Sequence, residues 1–336
     1  MRLAFLVPFP LLLLPVLSAC APSVSVGSSN AGGGPRFTTE TFTGGSDARS
    51  YELYLPSAYD GVRPLPLVVM LHGCTQEADD FARGTRMNIT AEEHGFLVAY
   101  PQQTAALHPQ RCWRWYDAAH QTRDAGEPAL IAGIAREVMR RHRVDATRVY
   151  VAGVSAGGAM AVILGATYPD LFAAIASHSG TEFGAARGIS EALAAMQHGG
   201  AASEEQGAAA FTAMGAHARP VPLIVFHGGR DAVVHPVNAE QTVAQWRGTL
   251  QLAGVRLVAA EAAGSETGGS APAPAHAERR LHRDEQGRVW IESWLVLGLG
   301  HAWSGGSPEG TYTDPTGPDA TGEIVRFFLQ HPRDSR

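Results

Sequence analysis

The sequence predicts an α/β protein with a mostly parallel, doubly wound sheet and helices on both faces. Two observations carry that reading. Short β-branched or aliphatic runs alternate with helical stretches along most of the chain. One of those runs, Val149 to Ala152, turns sharply through a glycine-flanked serine into a helix of small residues. With 336 residues, 45% hydrophobic and 17% charged, the composition is that of a well-cored domain. A net charge of −6 and a pI near 6.1 leave no basic footprint for nucleic acid.

The N-terminus reads as a targeting segment. Arg2 precedes an apolar run, Leu3 to Leu17, which Pro8, Pro10 and Pro15 interrupt, so a stable membrane-spanning helix is not expected. The run closes in Leu17-Ser18-Ala19-Cys20, which resembles a bacterial lipobox whose cysteine becomes the lipidated mature N-terminus. Residues 1–19 are therefore expected to be a lipoprotein signal peptide, 20–36 a flexible tether, and 37–336 one folded domain. The expected location is exported, either lipid-anchored at the cell envelope or secreted, with membrane contact only through the lipid. Of the three cysteines, Cys74 and Cys112 then remain. They either bridge in an oxidising compartment or stay as buried thiols.

Taken in order, Arg49 to Leu55 alternates polar with apolar residues and suits an edge strand. Leu65 to Leu71 is a buried strand, followed by the loop His72-Gly-Cys-Thr-Gln76. Asp79 to Glu93 reads as a helix and Phe96 to Tyr100 as a short strand closed by Pro101. Glu127 to Arg141 places Ile131, Ile134, Ala135 and Val138 on one helical face. Ala173 to Ser177 and Val221 to Phe226 read as strands, with Ala/Gly-rich helices and loops between them. Val237 to Ala253 is a helix, Val255 to Glu261 a strand, and Gly264 to Ala275 a low-complexity loop. Arg279 to Arg283 and Arg288 to Val296 form a hairpin around 284–287, and Thr321 to Leu329 is the last helix.

The chemistry centres on Gly153-Val-Ser155-Ala-Gly157, a G-x-S-x-G nucleophile elbow in the required strand-turn-helix context. Glycines on both sides let neighbouring backbone pass close, and the helix N-terminus aims free N–H groups at the serine. A serine hydroxyl needs a base, and among fourteen histidines chain order selects. The α/β-hydrolase order is Ser, then acid, then His. His301, in a glycine-rich loop after an apolar strand, is the expected base. Asp231, after the strand and glycine turn of Leu223-Ile-Val-Phe-His-Gly-Gly-Arg, is the expected acid. Asp284 lies in a hairpin turn, and Asp170 reads as a cap. The expected oxyanion donors are the N–H groups of Ala156 and Cys74. A Cys74–Cys112 bridge would pin the second donor. His72 and His227 read as structural, and His178 and His235 receive no role. Trp303, Trp113 and Trp115 are candidates for an apolar substrate groove, with core packing as the other reading.

Six segments together resemble the poly(3-hydroxybutyrate) depolymerase family of esterases. They are His72-Gly-Cys-Thr-Gln76, Cys112-Trp-Arg-Trp115, Gly153-Val-Ser-Ala-Gly-Gly158, Tyr168-Pro-Asp-Leu-Phe172, Ser177-His-Ser-Gly180 and Gly300-His-Ala-Trp-Ser-Gly-Gly306. Feruloyl and acetyl-xylan esterases of carbohydrate esterase family 1 are related. The resemblance spans about residues 48–330. It implies an α/β-hydrolase catalytic domain with Ser155, Asp231 and His301 as a triad, Cys74 as an oxyanion donor, and a Cys74–Cys112 disulfide. Secreted polymer depolymerases of the family usually carry a separate substrate-binding domain after the catalytic one. This sequence stops at Arg336, soon after its last helix. The expected activity is therefore hydrolysis of short-chain polyhydroxyalkanoate esters or oligomers, by a monomer without cofactor or metal. A feruloyl or acetyl-xylan esterase shares the same chemistry and differs only in pocket shape. A non-catalytic surface-binding lipoprotein would be expected to have a broken triad, whereas all three members are present in order.

Overall fold

A central sheet of parallel strands orders the molecule, because its strands are apolar on both faces and must be covered twice. The computed structural model describes residues 34–44, 48–200, 203–262 and 276–334. The expected signal peptide, Cys20, most of the tether and the Gly264–Ala275 loop lie outside the described residues. The strands are β1 (Arg36–Phe42), β2 (Arg49–Leu55), β3 (Leu65–Leu71), β4 (Leu97–Pro101), β5 (Val144–Val154), β6 (Ala174–His178), β7 (Leu223–Gly228), β8 (Glu261–Ala262), β9 (Ala277–Arg283), β10 (Val289–Val296), β11 (Trp303–Ser304) and β12 (Thr313–Asp314). The helices are α1 (Ala78–Thr85), α2 (Met87–His94), α3 (Gly126–Arg141), α4 (Ala156–Thr167), α5 (Ile189–His198), α6 (Ser203–Met214), α7 (Val237–Leu252) and α8 (Ala320–Gln330).

Among the described residues, ten strands form the main sheet in the order β1-β2-β4-β3-β5-β6-β7-β10-β9-β8. The six from β4 to β10 run parallel, and antiparallel strands close both edges. The chain winds outward from β3 to β4, then returns to β5 and winds the other way. The C-terminal ends of β3 and β5 therefore flank the switch point, where open α/β sheets place their ligands.

Alternation along β3 divides the core. Leu65, Leu67, Val69 and Leu71 join the layer packed by α3, α4 and α7 through Ile131, Met160 and Trp246. Val68 and Met70 face the other layer, packed by α1, α2 and α8 through Phe81, Met87 and Phe328. All residues of α4 are buried, as expected of a helix apolar on every side. Among the described residues, no helix is long and apolar enough to cross a membrane.

Three expectations need correction. β2 is not an edge strand, because β1 pairs along its full length from Arg36↔Leu55 to Phe42↔Arg49. The helix expected over 79–93 is two helices. Arg86 adopts a left-handed φ of 55° between them and donates through Nη2 to Gly305 O. The strand expected at 255–261 reduces to an isolated Leu257↔Asp284 bridge and the two-residue β8.

The C-terminal helix is held through a stacked pair, Tyr150 on β5 against Phe328 on α8, with ring centroids 4.8 Å apart. Both are fully or almost fully buried. Phe328→Ala is expected to lower stability by about 3–5 kcal/mol in urea unfolding; a loss below about 1 kcal/mol would show that α8 does not rely on this pair.

Candidate active site

The elbow is a steric solution before it is a chemical one. Ser155 takes φ 56° and ψ −121°, a conformation a non-glycine residue adopts only when its surroundings enforce it. A Cβ on Gly157 would lie 2.1 Å from Leu71 O, and one on Gly153 would lie 2.3 Å from Gly157 O. Only glycine lets the turn close against β3. Ser155 N donates to His178 O at 2.8 Å, and the first helical bond runs from Ala159 N to Ser155 O at 3.0 Å. The N–H groups of residues 156–158 therefore have no helical acceptor and face the positive end of α4.

Asp231 and His301 arrive from adjacent strands. Gly229 N donates to Val296 O (2.8 Å) and Arg230 N to Leu299 O (2.9 Å), which joins the loop after β7 to the loop after β10. His301 Nδ1 lies 2.7 Å from Asp231 Oδ2. An ionised carboxylate can only accept, so Nδ1 carries the hydrogen and Nε2 is left as an acceptor. Asp231 Oδ1 accepts from Val233 N at 2.9 Å and Val234 N at 2.8 Å. Burial opposes the Asp231 charge. The hydrogen bond and charge of His301, with the Val234 N–H, outweigh it and hold the pKa below the ordinary carboxylate value.

The loop after β3 lies against the elbow: a Cβ on Gly73 would stand 3.5 Å from that of Ser155. Gly73 N donates to Gln76 Oε1 at 2.9 Å, and Thr75 N to Gln110 O at 2.6 Å. The backbone N–H groups on both sides of Cys74 are thus committed. Cys74 is joined to Cys112, with Cα atoms 4.2 Å apart. His72 is buried beneath the loop, its Nδ1 2.7 Å from Gly73 O and its Nε2 accepting from Gln103 N.

Three groove candidates are core residues instead. Trp303 is 1%, Trp113 0% and Trp115 6% exposed. Trp303 Nε1 donates to Thr321 Oγ1 and its ring stacks on His178, while Trp113 Nε1 donates to His72 O. Large aromatic surfaces with satisfied N–H groups pack inward and support the loops from below. Asp170 is not a helix cap. It holds Arg123 through two hydrogen bonds of 2.6 and 3.0 Å.

His178 was given no role from sequence, yet it links the two halves of the site. Its carbonyl holds Ser155 N, and its Nε2 accepts from Ser304 N at 3.1 Å, three residues after His301. Burial, reinforced by the charges of His227 and His301, lowers its pKa to about 3, so the ring stays neutral and able to accept. The position at the end of β6 was the available signal. His227 lies buried behind Asp231, its Nε2 2.8 Å from Val234 O and 3.6 Å from Asp231 Oδ2.

Glu182 was also missed. It is 2% exposed, neither carboxyl oxygen has a partner among the described residues, and burial pushes its pKa up to about 7. No pattern in the sequence separates it from a surface glutamate.

A family model described as Esterase PHB depolymerase matches residues 49–270. The chain belongs to this esterase family. It is similar to poly(3-hydroxyalkanoate) depolymerase C of Paucimonas lemoignei, 31% identical over 79% of this chain and 59% of that protein. It is 32% identical to feruloyl esterase B of Thermothelomyces thermophilus, over 59% of this chain and 69% of that one. The chain thus spans just under three fifths of the length of the depolymerase relative. Among solved structures, acetyl xylan esterase from Aspergillus awamori superposes with a TM-score of 0.68 at 22% identity, covering 89% of this chain and 100% of that one. That likeness shows a shared α/β-hydrolase fold.

Two expectations follow from this geometry. The folded-state pKa of Glu182, about 7, exceeds its ordinary 4.5. Its contribution to stability is therefore full below the ordinary value and is lost as pH rises through about 7. Glu182→Gln is expected to raise the melting temperature over the wild type at pH 8 but not at pH 4; an equal difference at both pH values would refute this. The bridge separates its cysteines by 38 residues, so Cys112→Ser is expected to cost about 4 kcal/mol. Reductant should lower the urea midpoint of the wild type and leave that of the variant unmoved.

Proposed function

We propose that the chain is an exported serine esterase using Ser155, His301 and Asp231 as a triad, with Cys74 and Ala156 supplying the oxyanion hole. Two observations support this reading: a strained elbow serine at a helix N-terminus, and a histidine whose Nδ1 is held by a buried aspartate. Ser155 Oγ attacks the ester carbonyl carbon and passes its proton to His301 Nε2. The carbonyl oxygen becomes an oxyanion between the two backbone N–H groups. The C–O bond to the alcohol then breaks, and imidazolium returns the proton to the departing oxygen. Water attacks the acyl-enzyme by the same route, releasing the acid and restoring Ser155. Asp231 holds the tautomer and offsets the imidazolium charge throughout.

The substrate class we propose is a short-chain polyhydroxyalkanoate ester or oligomer, supported by the family match and the depolymerase relative. The feruloyl esterase relative supports a second reading, a feruloyl or acetyl-xylan ester, which the same triad would hydrolyse. Export is supported by the N-terminal sequence ending in Cys20 and by the Cys74–Cys112 bond. Mass spectrometry of the mature chain tests the lipid anchor, which a start elsewhere than a lipidated Cys20 would exclude.

Ser155→Ala is expected to lower kcat on p-nitrophenyl butyrate by at least about 1000-fold with the fold intact by circular dichroism. Unchanged hydrolysis would overturn the esterase reading. Side-by-side rates should favour hydroxybutyrate oligomers and p-nitrophenyl butyrate over methyl ferulate and acetylated xylan. The reverse order would move the substrate class to plant-wall esters.

A further inference from the structure

The loop that carries Cys74 is tied across the site by side chains with no part in the proton transfers. Gln76 is 3% exposed. Its Oε1 accepts from Gly73 N at 2.9 Å, and its Nε2 donates to Asp80 Oδ2 (3.2 Å), Thr311 O (3.0 Å) and Thr311 Oγ1 (3.3 Å). Asp80, on α1, accepts in turn from Thr311 N at 3.0 Å and from Thr311 Oγ1. Next to Thr311, Tyr312 lies with its hydroxyl 3.1 Å from Thr75 Oγ1 and its carbonyl accepting from Trp303 N at 2.7 Å. Trp303 is two residues from His301.

The backbone beneath these bonds is equally constrained. A Cβ on Gly310 would stand 2.4 Å from the Cα of Gly84, and Ser307 N donates to Gly84 O at 2.8 Å. Helix α1 is thus a splint. Its first turns hold Gln76 and Thr311, and its last turn is in direct contact with the 306–310 loop. Thr75 and Tyr312, the two residues at the crossing, both have left-handed φ values, 66° and 52°. Neither is glycine, so the crossing is held under backbone strain by its surroundings.

Gln76 also decides which N–H groups the loop presents. By taking Gly73 N it removes the donor on one side of Cys74, while Gln110 O takes Thr75 N on the other. An oxyanion donor is effective in proportion to how little it must reorganise when charge develops. We propose that Gln76, Asp80 and Thr311 form a positioning network that fixes the Cys74 N–H for the oxyanion and sets it in register with the His301 loop. This rests on the esterase reading above. None of the three touches the reacting atoms, so they are positioning residues.

Asp80→Asn tests the idea with almost no change in shape. An asparagine offers one acceptor oxygen where Gln76 Nε2 and Thr311 N need two, so one of those two bonds must be lost. The expected result on p-nitrophenyl butyrate is a kcat lowered about 10- to 100-fold, with KM changed less than about twofold. Affinity for a trifluoromethyl ketone, which forms a tetrahedral oxyanion on the serine, should fall by the same factor as kcat. Thr311→Ala should lose kcat similarly and Thr311→Ser should restore it, because only the hydroxyl is needed. Melting temperatures identify any variant that fails to fold, and the Thr311 pair then decides. A wild-type kcat in folded Asp80→Asn, or a stability loss with kcat and ketone affinity unchanged, would overturn this inference alone. Absence of Ser155-dependent hydrolysis in the wild type would overturn the esterase reading, and this one with it.

Discussion

Everything at the site depends on how closely the turn after β5 approaches the end of β3. The two strands are hydrogen-bonded neighbours in register, with Met70 opposite Ala152 and Leu71 opposite Gly153. A side chain at Gly157 would collide with the Leu71 carbonyl, so α4 could not leave the sheet where it does. Because β3 and β5 are parallel, the loops that follow them emerge on the same edge. The loop carrying Cys74 is therefore delivered beside Ser155 by strand pairing alone. One contact between backbones fixes both the position of Ser155 and that of the loop carrying Cys74.

What holds the remaining loops is a set of buried imidazoles. His72 follows β3, His178 ends β6 and His227 lies in β7, all fully buried. Burial lowers the pKa of each, His72 to about 4 and His178 to about 3. A neutral imidazole has one donor and one acceptor nitrogen on a rigid ring. At the end of a buried strand it can therefore bond backbone on the far side of a loop that an aliphatic side chain could only touch. His178 does this for Ser304 and His227 for Val234.

The sequence made some of this readable and not the rest, for physical reasons. The parallel strands were visible because burial on both faces demands unbroken apolar runs such as Leu65 to Leu71, which matches β3 at both ends. Ser155, Asp231 and His301 stood out because each comes after an apolar strand with glycines beside it, as at Gly153, Gly157, Gly229 and Gly300. Strand β1 was missed because its residues are mostly exposed, so no apolar pattern marks it. The break at Arg86 was missed because an arginine in a left-handed conformation has no residue-type signature. The tryptophans misled because composition reports aromatic density but not which way the rings face. Gln76 and Asp80 act through partners more than two hundred residues away, beyond the reach of any local pattern.

With Trp113, Trp115 and Trp303 committed to the core, the side chains left open near the Asp231 and His301 loops are of other kinds. Tyr312 is half exposed where the loop bearing Thr75 meets the loop after His301. Val233, likewise partly open, is two residues from Asp231. Helix α5 is fastened to that same aspartate loop through His235 N to Met196 O at 2.7 Å and Gln197 Nε2 to Val233 O at 3.2 Å. It also carries Ile189 and Leu193 exposed to solvent. Among the described residues, the side chains at these positions form no hydrogen bond with Ser155, His301 or Asp231; Val233 reaches Asp231 Oδ1 only through its backbone N–H. Their side chains can therefore change without disturbing the elbow or the Asp231–His301 pair. Relatives of this chain include a poly(3-hydroxyalkanoate) depolymerase and a feruloyl esterase, and open loop positions are where chains that share the elbow can differ without altering it.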